Sequence, residues 1–241
     1  MDEAPQVLRE EGWHPGVAPA IIAISVMLAT FMEVLDSTVV NVSLTHIAGN
    51  LSAGIDETTW VLTSYLVSNA IVLPATGWFS MVFGRKRFYM FCVGTFTVSS
   101  FLCGLAPSLG WLVFFRILQG LGGGALQPIS QAIMLESFPV RKRGLGMAIF
   151  GIGVVFAPII GPTLGGWITD SYSWRWIFYI NIPVGILSLL LTQMNVVDPP
   201  YLRRGVSRVD YFGLGLLALG IGALQIVLDQ VQREDWFSTS W

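Results

Sequence analysis

The sequence predicts an all-α integral membrane protein, and three observations lead there. Of the 241 residues 54% are hydrophobic and only 12% charged, against roughly 25% charged in soluble domains. The apolar residues gather into seven runs of about twenty, the length needed to cross a hydrocarbon core of about 30 Å. The basic residues clump between those runs, as in Arg85-Lys86-Arg87 and Arg141-Lys142-Arg143, which is the pattern of spans and loops. Each run is about twice as long as a barrel strand requires and none alternates between two faces, so the spans are helices rather than strands.

Taken in order, residues 1–17 carry Asp2, Glu3, Arg9, Glu10 and Glu11 and precede the first span. That first run is too long for a signal h-region and lacks a basic n-region, so it stays in the membrane. The spans are predicted at 18–40, 60–79, 88–106, 109–135, 144–168, 176–194 and 211–228. Connections this short hold no folded domains, so neighbouring spans cross in opposite directions. The turns after the second, fourth and sixth spans hold Arg85, Lys86, Arg87, Arg141, Lys142, Arg143, Arg203, Arg204 and Arg208, whereas those after the first, third and fifth hold only Arg175. This bias puts residues 1–17 and the basic linker 195–210 in the cytoplasm, and the tail 229–241 on the periplasmic or extracellular side. Residues 18–194 form one six-span domain, and 211–228 a seventh span. Within the spans, Gly120 with Gly124 and Gly161 with Gly165 have the small-xxx-small spacing that lets helix backbones approach.

Several functional classes fall away. A net charge of −2 gives no electrostatic case for nucleic acid. There is no Walker lysine motif, no zinc-ligand pair on a helix and no nucleophile elbow, so the chain does not read as an enzyme. Cys92 and Cys103 read as small apolar residues with no disulfide or metal role. Energy for any transport then comes from an ion gradient or a partner, and no cofactor is expected.

Charged groups inside a membrane are costly, from about 2.5 kcal/mol upward, and invite a functional reading. Glu33, Asp36 and Arg116 stand out. Glu33 and Asp36 lie three apart on one helix face, and two carboxylates so placed do not both ionise cheaply, so one is expected to hold a proton. Arg116 keeps its charge and needs an anionic or polar partner, for which a first-span carboxylate is the natural candidate. Two readings of Asp36 and Arg116 stay open, a proton-coupling pair and a fixed structural ion pair. Glu33 is read either with them or as the lining of a cavity for cationic substrate. Asn41, Asn69, Gln119, Gln127 and Gln131 are each interhelical glue or substrate contacts, with Asn41, Gln119 and Gln127 the cavity candidates. His46 sits where the first span leaves the membrane and reads as a solvated or capping residue; His14 lies outside the spans.

Four segments together resemble the major facilitator superfamily, and within it the fourteen-span drug:proton antiporters of the EmrB-like branch. Leu35-Asp36-Ser37-Thr38-Val39-Val40-Asn41-Val42 resembles the embedded aspartate motif of span one. Gly77-Trp78-Phe79-Ser80-Met81-Val82-Phe83-Gly84-Arg85-Lys86 is similar to the cytoplasmic gating loop, with Gly77, Gly84, Arg85 and Lys86 at its marked positions. Arg116-Ile117-Leu118-Gln119-Gly120 resembles the buried-arginine pattern of span four. Ala157-Pro158-Ile159-Ile160-Gly161-Pro162-Thr163-Leu164-Gly165-Gly166 resembles the antiporter motif of span five, and Asn181-Ile182-Pro183-Val184-Gly185 extends the likeness into span six.

The resemblance implies a six-helix N-terminal bundle of two inverted three-helix repeats, followed by the first of an extra pair of spans. It implies proton-coupled multidrug efflux by alternating access in a bacterial inner membrane, with Asp36 as coupling carboxylate, Arg116 tuning it, and Pro158, Gly161, Pro162, Gly165 and Gly166 bending and packing span five. A periplasmic membrane-fusion adaptor and an outer-membrane channel are implied as partners, beside membrane lipid and small hydrophobic substrates. Departures are Met81, where the loop usually carries an acid, and Ser43-Leu44-Thr45, where a proline is common. Fourteen-span members are much longer, so spans eight to fourteen are expected to lie outside this chain. An uptake permease for a metabolite and a non-transporting half that needs a second half are the alternatives.

Overall fold

The computed structural model describes residues 16–198 and 211–234. Seven helices account for nearly all of them: α1 (Pro19–Leu51), α2 (Ile55–Phe83), α3 (Arg85–Leu105), α4 (Leu109–Ser137), α5 (Val140–Ser171), α6 (Trp176–Asn195) and α7 (Tyr211–Glu234). Among the described residues the first six are long and apolar enough to cross a membrane. The apolar stretch of α7 within these residues is the shorter Gly215–Gln225. The basic linker positions Arg203, Arg204 and Arg208, and most of residues 1–17, lie outside the described residues.

The largest departure from the predicted boundaries is in α1, which continues eleven residues beyond position 40. The polar residues that lower hydropathy there do not break the helix. Ser43 donates back to the Val39 carbonyl at 2.9 Å and lies 2.8 Å from Thr169 Oγ1 of α5, so its hydroxyl is satisfied without unwinding the backbone. Without a proline near Ser43-Leu44-Thr45, the helix runs on unbroken.

Breaks occur instead where a proline removes a ladder bond. Pro74 coincides with a 3-10 turn at Leu73–Ala75 in α2. Pro128 lacks the N–H that would reach the Gly124 carbonyl, and α4 is interrupted between Gly123 and Leu126. Pro183 likewise frees the Tyr179 carbonyl, and α6 restarts at Asn181. Pro158 and Pro162, by contrast, stay within a continuous α5.

At the centre of the bundle is α1, and each of the next five helices hydrogen-bonds to it. Tyr65 of α2 reaches Glu33 and Tyr89 of α3 donates to the Val26 carbonyl at 2.8 Å. Arg116 of α4 and Asn181 of α6 both reach Asp36, and Thr169 of α5 meets Ser43. Glycines make the close approaches. A Cβ on Gly120 would lie 2.5 Å from the Tyr65 carbonyl oxygen, and one on Gly124 would overlap Asn69 backbone, so α4 presses on α2. A Cβ on Gly161 would overlap Thr38, and one on Gly165 would sit 3.1 Å from the Val39 carbonyl, so α5 presses on α1. Both predicted small-xxx-small pairs therefore sit at helix crossings. Gly166 has open space beside it.

The apolar core is in two parts. One gathers Ile22, Val26, Met32, Tyr89, Phe96 and Ile133; the other gathers Val39, Ile47, Cys103, Leu112, Trp174 and Phe178. The α1 segment bearing Glu33 and Asp36 runs between them. Large apolar side chains such as Phe91, Ile159, Trp167 and Leu190 are exposed on the outer faces, as lipid-facing positions are.

The two ends of the bundle differ. At one end, Gly84 separates α2 from α3 with φ 85°, a conformation open to glycine and strained for other residues. Next to it, Arg85 pairs with Glu136 at the end of α4. The Lys86 backbone N–H donates to Asp198 Oδ1 at 2.8 Å, and its Nζ to the Gln193 carbonyl at 2.7 Å. Met81 is exposed, and this end is held instead by the Arg85–Glu136 ion pair and by Asp198, which accepts from the Lys86 backbone. At the other end, Arg175 donates to the Gly104 and Ala106 carbonyls, both at 2.8 Å, and closes the C-terminus of α3. Also there, exposed His46 faces Asp170 at 3.4 Å.

Candidate functional site

Three residues apart on α1, Asp36 and Glu33 are both buried, at 1% and 5% exposure, but each has its own set of partners. Asp36 Oδ2 accepts from Arg116 Nη1 at 2.5 Å. Its Oδ1 accepts from Gln119 Nε2 at 3.1 Å and from Asn181 Nδ2 at 2.7 Å. Arg116 and Gln119 are on one face of α4, and Arg116 Nη1 also reaches Gln119 Oε1 at 2.9 Å. Arg116 Nε donates to the Val61 carbonyl at 3.1 Å. Asn181 is shared with Ser100 Oγ at 3.0 Å, which in turn donates to the Phe178 carbonyl. The Asp36 set draws on α1, α2, α3, α4 and α6, with every polar atom of its carboxylate satisfied.

Glu33 is held by neutral donors. Tyr65 Oη and Asn69 Nδ2 donate to Oε1 at 3.0 and 3.1 Å, and Gln127 Nε2 to Oε2 at 3.0 Å. It borders a cavity of about 380 Å³ lined by Ser37, Tyr65, Asn69, Gln127 and, from α7, Gln225 among others. A lone carboxylate with amide and hydroxyl neighbours and no basic side chain in that lining suits a cation with an apolar body.

The two carboxylates have separate partners: Arg116 with two amides takes up Asp36, and Tyr65 with two amides takes up Glu33. Of the other sequence candidates, Gln119 belongs to the Asp36 set and Gln127 and Asn69 to the Glu33 set. Asn41 is exposed; it continues the Glu33–Ser37 stripe one turn beyond the cavity. Gln131 lines no part of that cavity. In the loop segment, Gly77 has open space around it whereas Gly84, Arg85 and Lys86 form the turn and lock described above. Cys92 and Cys103 are buried and free.

Sequence reasoning singled out Asn69 but missed Tyr65 and Asn181. Tyr65 and Asn69 lie one turn apart on α2, and that i, i+4 pairing of polar-tipped residues in an apolar run was the available signal. Asn181 is an isolated amide near the start of span six. The rule applied to charged groups, that a polar group in lipid needs a partner, marks it equally.

Comparison with known proteins gives the family of the fold. The description "Major Facilitator Superfamily" matches residues 26–233. The multidrug export protein EmrB of Escherichia coli (strain K12) is 43% identical over 224 residues, covering 93% of this chain and 44% of its own length. The fatty acid resistance protein FarB of Neisseria gonorrhoeae is 44% identical over 228 residues, again covering 93% and 44%. Among solved structures, a peptide transporter POT bound to sulfate superposes with a TM-score of 0.69 at 16% identity, covering 95% of this chain and 49% of that one. The E. coli xylose transporter XylE superposes with a TM-score of 0.68 at 17% identity, covering 90% and 59%. The chain spans about half the length of the curated relatives it matches. It is a multi-pass membrane protein, and it belongs to the Major Facilitator Superfamily.

Proposed function

We propose that this chain supplies the N-terminal bundle of a proton-driven multidrug exporter. In this reading Asp36 is the proton site. Its proton leaves or enters as the transporter alternates between two access states, and a toxic hydrophobic compound, commonly cationic, moves the opposite way. The observation that carries the proposal is the pairing of a buried Asp36–Arg116 ion pair with a second carboxylate, Glu33, that faces a cavity one turn away. The Arg116 guanidinium binds the Asp36 carboxylate directly, and a proton taken up there would replace that bond and free both partners for a different arrangement. The names of the similar relatives, a multidrug export protein and a fatty acid resistance protein, support export of amphipathic compounds.

The membrane is proposed to be a bacterial inner membrane with the N-terminus in the cytoplasm, in keeping with the basic turns. Because the relatives are about twice as long, transport is proposed to need a second bundle. A periplasmic adaptor and an outer-membrane channel complete the path in a double-membraned bacterium, a reading that rests on the resemblance alone. The test is export of tetraphenylphosphonium from cells producing the chain together with a C-terminal bundle. Asp36→Asn is expected to abolish export driven by a proton gradient while the protein still inserts in the membrane. Export at the wild-type rate by that variant would falsify the assignment.

A further inference from the structure

A second cavity, of about 570 Å³, lies apart from both carboxylate sets. It sits between α2, on the basic-end side of the 3-10 turn at Pro74, and the first turns of α3, with Leu121 of α4 also in its lining. Aromatic rings wall it. Phe79 of α2 tilts against Phe88 of α3 at 5.2 Å and stacks on Phe83 at 6.2 Å. It opens on the outer face of the bundle, because Phe83, Phe91 and Leu121 are all exposed. Among the described residues that line it, Arg87 is the only one with a charge. Arg87 is itself exposed, and it stands four residues before Phe91 on α3, so the two share a helix face with the cation one turn nearer the basic end. The adjacent cations are engaged within the protein, Arg85 by Glu136 and Lys86 by the Gln193 carbonyl. Arg87 has no ion-pair partner among the described residues.

We propose that this cavity seats an acyl chain of an anionic phospholipid whose phosphate is held by Arg87. The site is independent of the Asp36 and Glu33 sets. An apolar cleft on a lipid-facing surface, with one cation at the end where headgroups lie, matches the long axis of a phospholipid in the leaflet that meets the basic end. A guanidinium offers two parallel N–H donors to phosphate oxygens. A zwitterionic lipid brings its own cation to that phosphate and gains less from Arg87. One basic side chain beside an anionic lipid surface corresponds to a preference of about five-fold. A second copy of the same face is the poorer occupant, since its lining brings no acid to Arg87.

The experiment is native mass spectrometry of the detergent-solubilised chain with equal amounts of phosphatidylglycerol and phosphatidylcholine carrying the same acyl chains. Wild type is expected to retain phosphatidylglycerol over phosphatidylcholine by about five-fold. Arg87→Gln is expected to bring the ratio to about one, as loss of that single cation requires. Lys142→Gln removes an exposed cation outside the cavity lining and is expected to keep the wild-type ratio. Leu121→Trp, which fills the cavity and leaves Arg87 in place, is expected to lose both lipids. Equal retention by wild type, a preference that survives Arg87→Gln, or an equal loss of preference in Lys142→Gln overturns the site. Lipid retained by Leu121→Trp as by wild type overturns the cavity as its seat. Displacement of phosphatidylglycerol by an equal amount of oleate overturns the phospholipid assignment in favour of a free fatty acid. A lipid-free dimer that Leu121→Trp dissociates overturns it in favour of a second copy.

Discussion

Arg116 has no route to solvent, with its side chain fully buried, and its charge is balanced by Asp36 alone among the described acids in contact with it. Removing one member of a buried pair leaves the other uncompensated, at a cost of about 3–5 kcal/mol. Arg116→Leu is therefore expected to lower the unfolding midpoint in detergent markedly, and Asp36→Asn to lower it as well. The double variant Asp36→Asn with Arg116→Leu is expected to be more stable than the sum of the two single losses predicts, a coupling that a double-mutant cycle reads directly. Additive losses would mean that the pair contributes nothing as a pair. Arg116→Lys is expected to behave nearer to Arg116→Leu than to wild type, because a single ammonium cannot reach Asp36, Gln119 and the Val61 carbonyl together while stacking on Tyr65. At this scale the sequence exposed the charged members, since each breaks an apolar run. It did not expose which carboxylate goes with which partner. That sorting depends on the rotation of α4 and α2 about α1, which apolar runs without a polar face do not specify.

Helices were the most legible level, because span length and composition together allow little else in lipid. Their ends were less so. Residues 41–51 of α1 continue the helix with the Ser43 hydroxyl and the Asn50 amide satisfied locally, which hydropathy does not register. Proline positions were readable in the sequence, yet Pro74, Pro128 and Pro183 coincide with breaks while Pro158 and Pro162 do not. The glycine crossings give an element-scale prediction. Gly124→Leu puts a side chain into Asn69 backbone, and Gly161→Leu into Thr38. Each is expected to cost at least the 1–3 kcal/mol typical of overpacking, read as loss of thermal stability in detergent. Gly166→Leu, with open space beside it, is expected to stay near wild type. Equal losses at Gly161 and Gly166 would contradict the α1–α5 crossing. Gly84→Ala forces an L-residue to φ 85° and is expected to cost about 1–3 kcal/mol.

For the molecule as a whole, the basic residues do two things. Their number sets the sidedness that the sequence reading uses, and their contacts tie helix ends together. Arg85 with Glu136 and Lys86 with Asp198 and Gln193 bring the start of α3 to the ends of α4 and α6. Met81 leaves the loop without its usual acid, and only the fold shows that Glu136 and Asp198, distant in sequence, hold this end. Glu136→Gln is expected to speed amide hydrogen exchange in the Gly84–Lys86 turn, with unchanged exchange showing the lock to be idle. Under the proposed alternating access, breaking it would free the basic end to open. Protonation at the proposed proton site, Asp36, can be observed without transport. In an infrared difference spectrum of the reconstituted chain between acidic and alkaline pH, a protonated-carboxyl band is expected that loses intensity in Asp36→Asn and keeps it in Glu136→Gln. A band of unchanged intensity in Asp36→Asn would contradict that assignment.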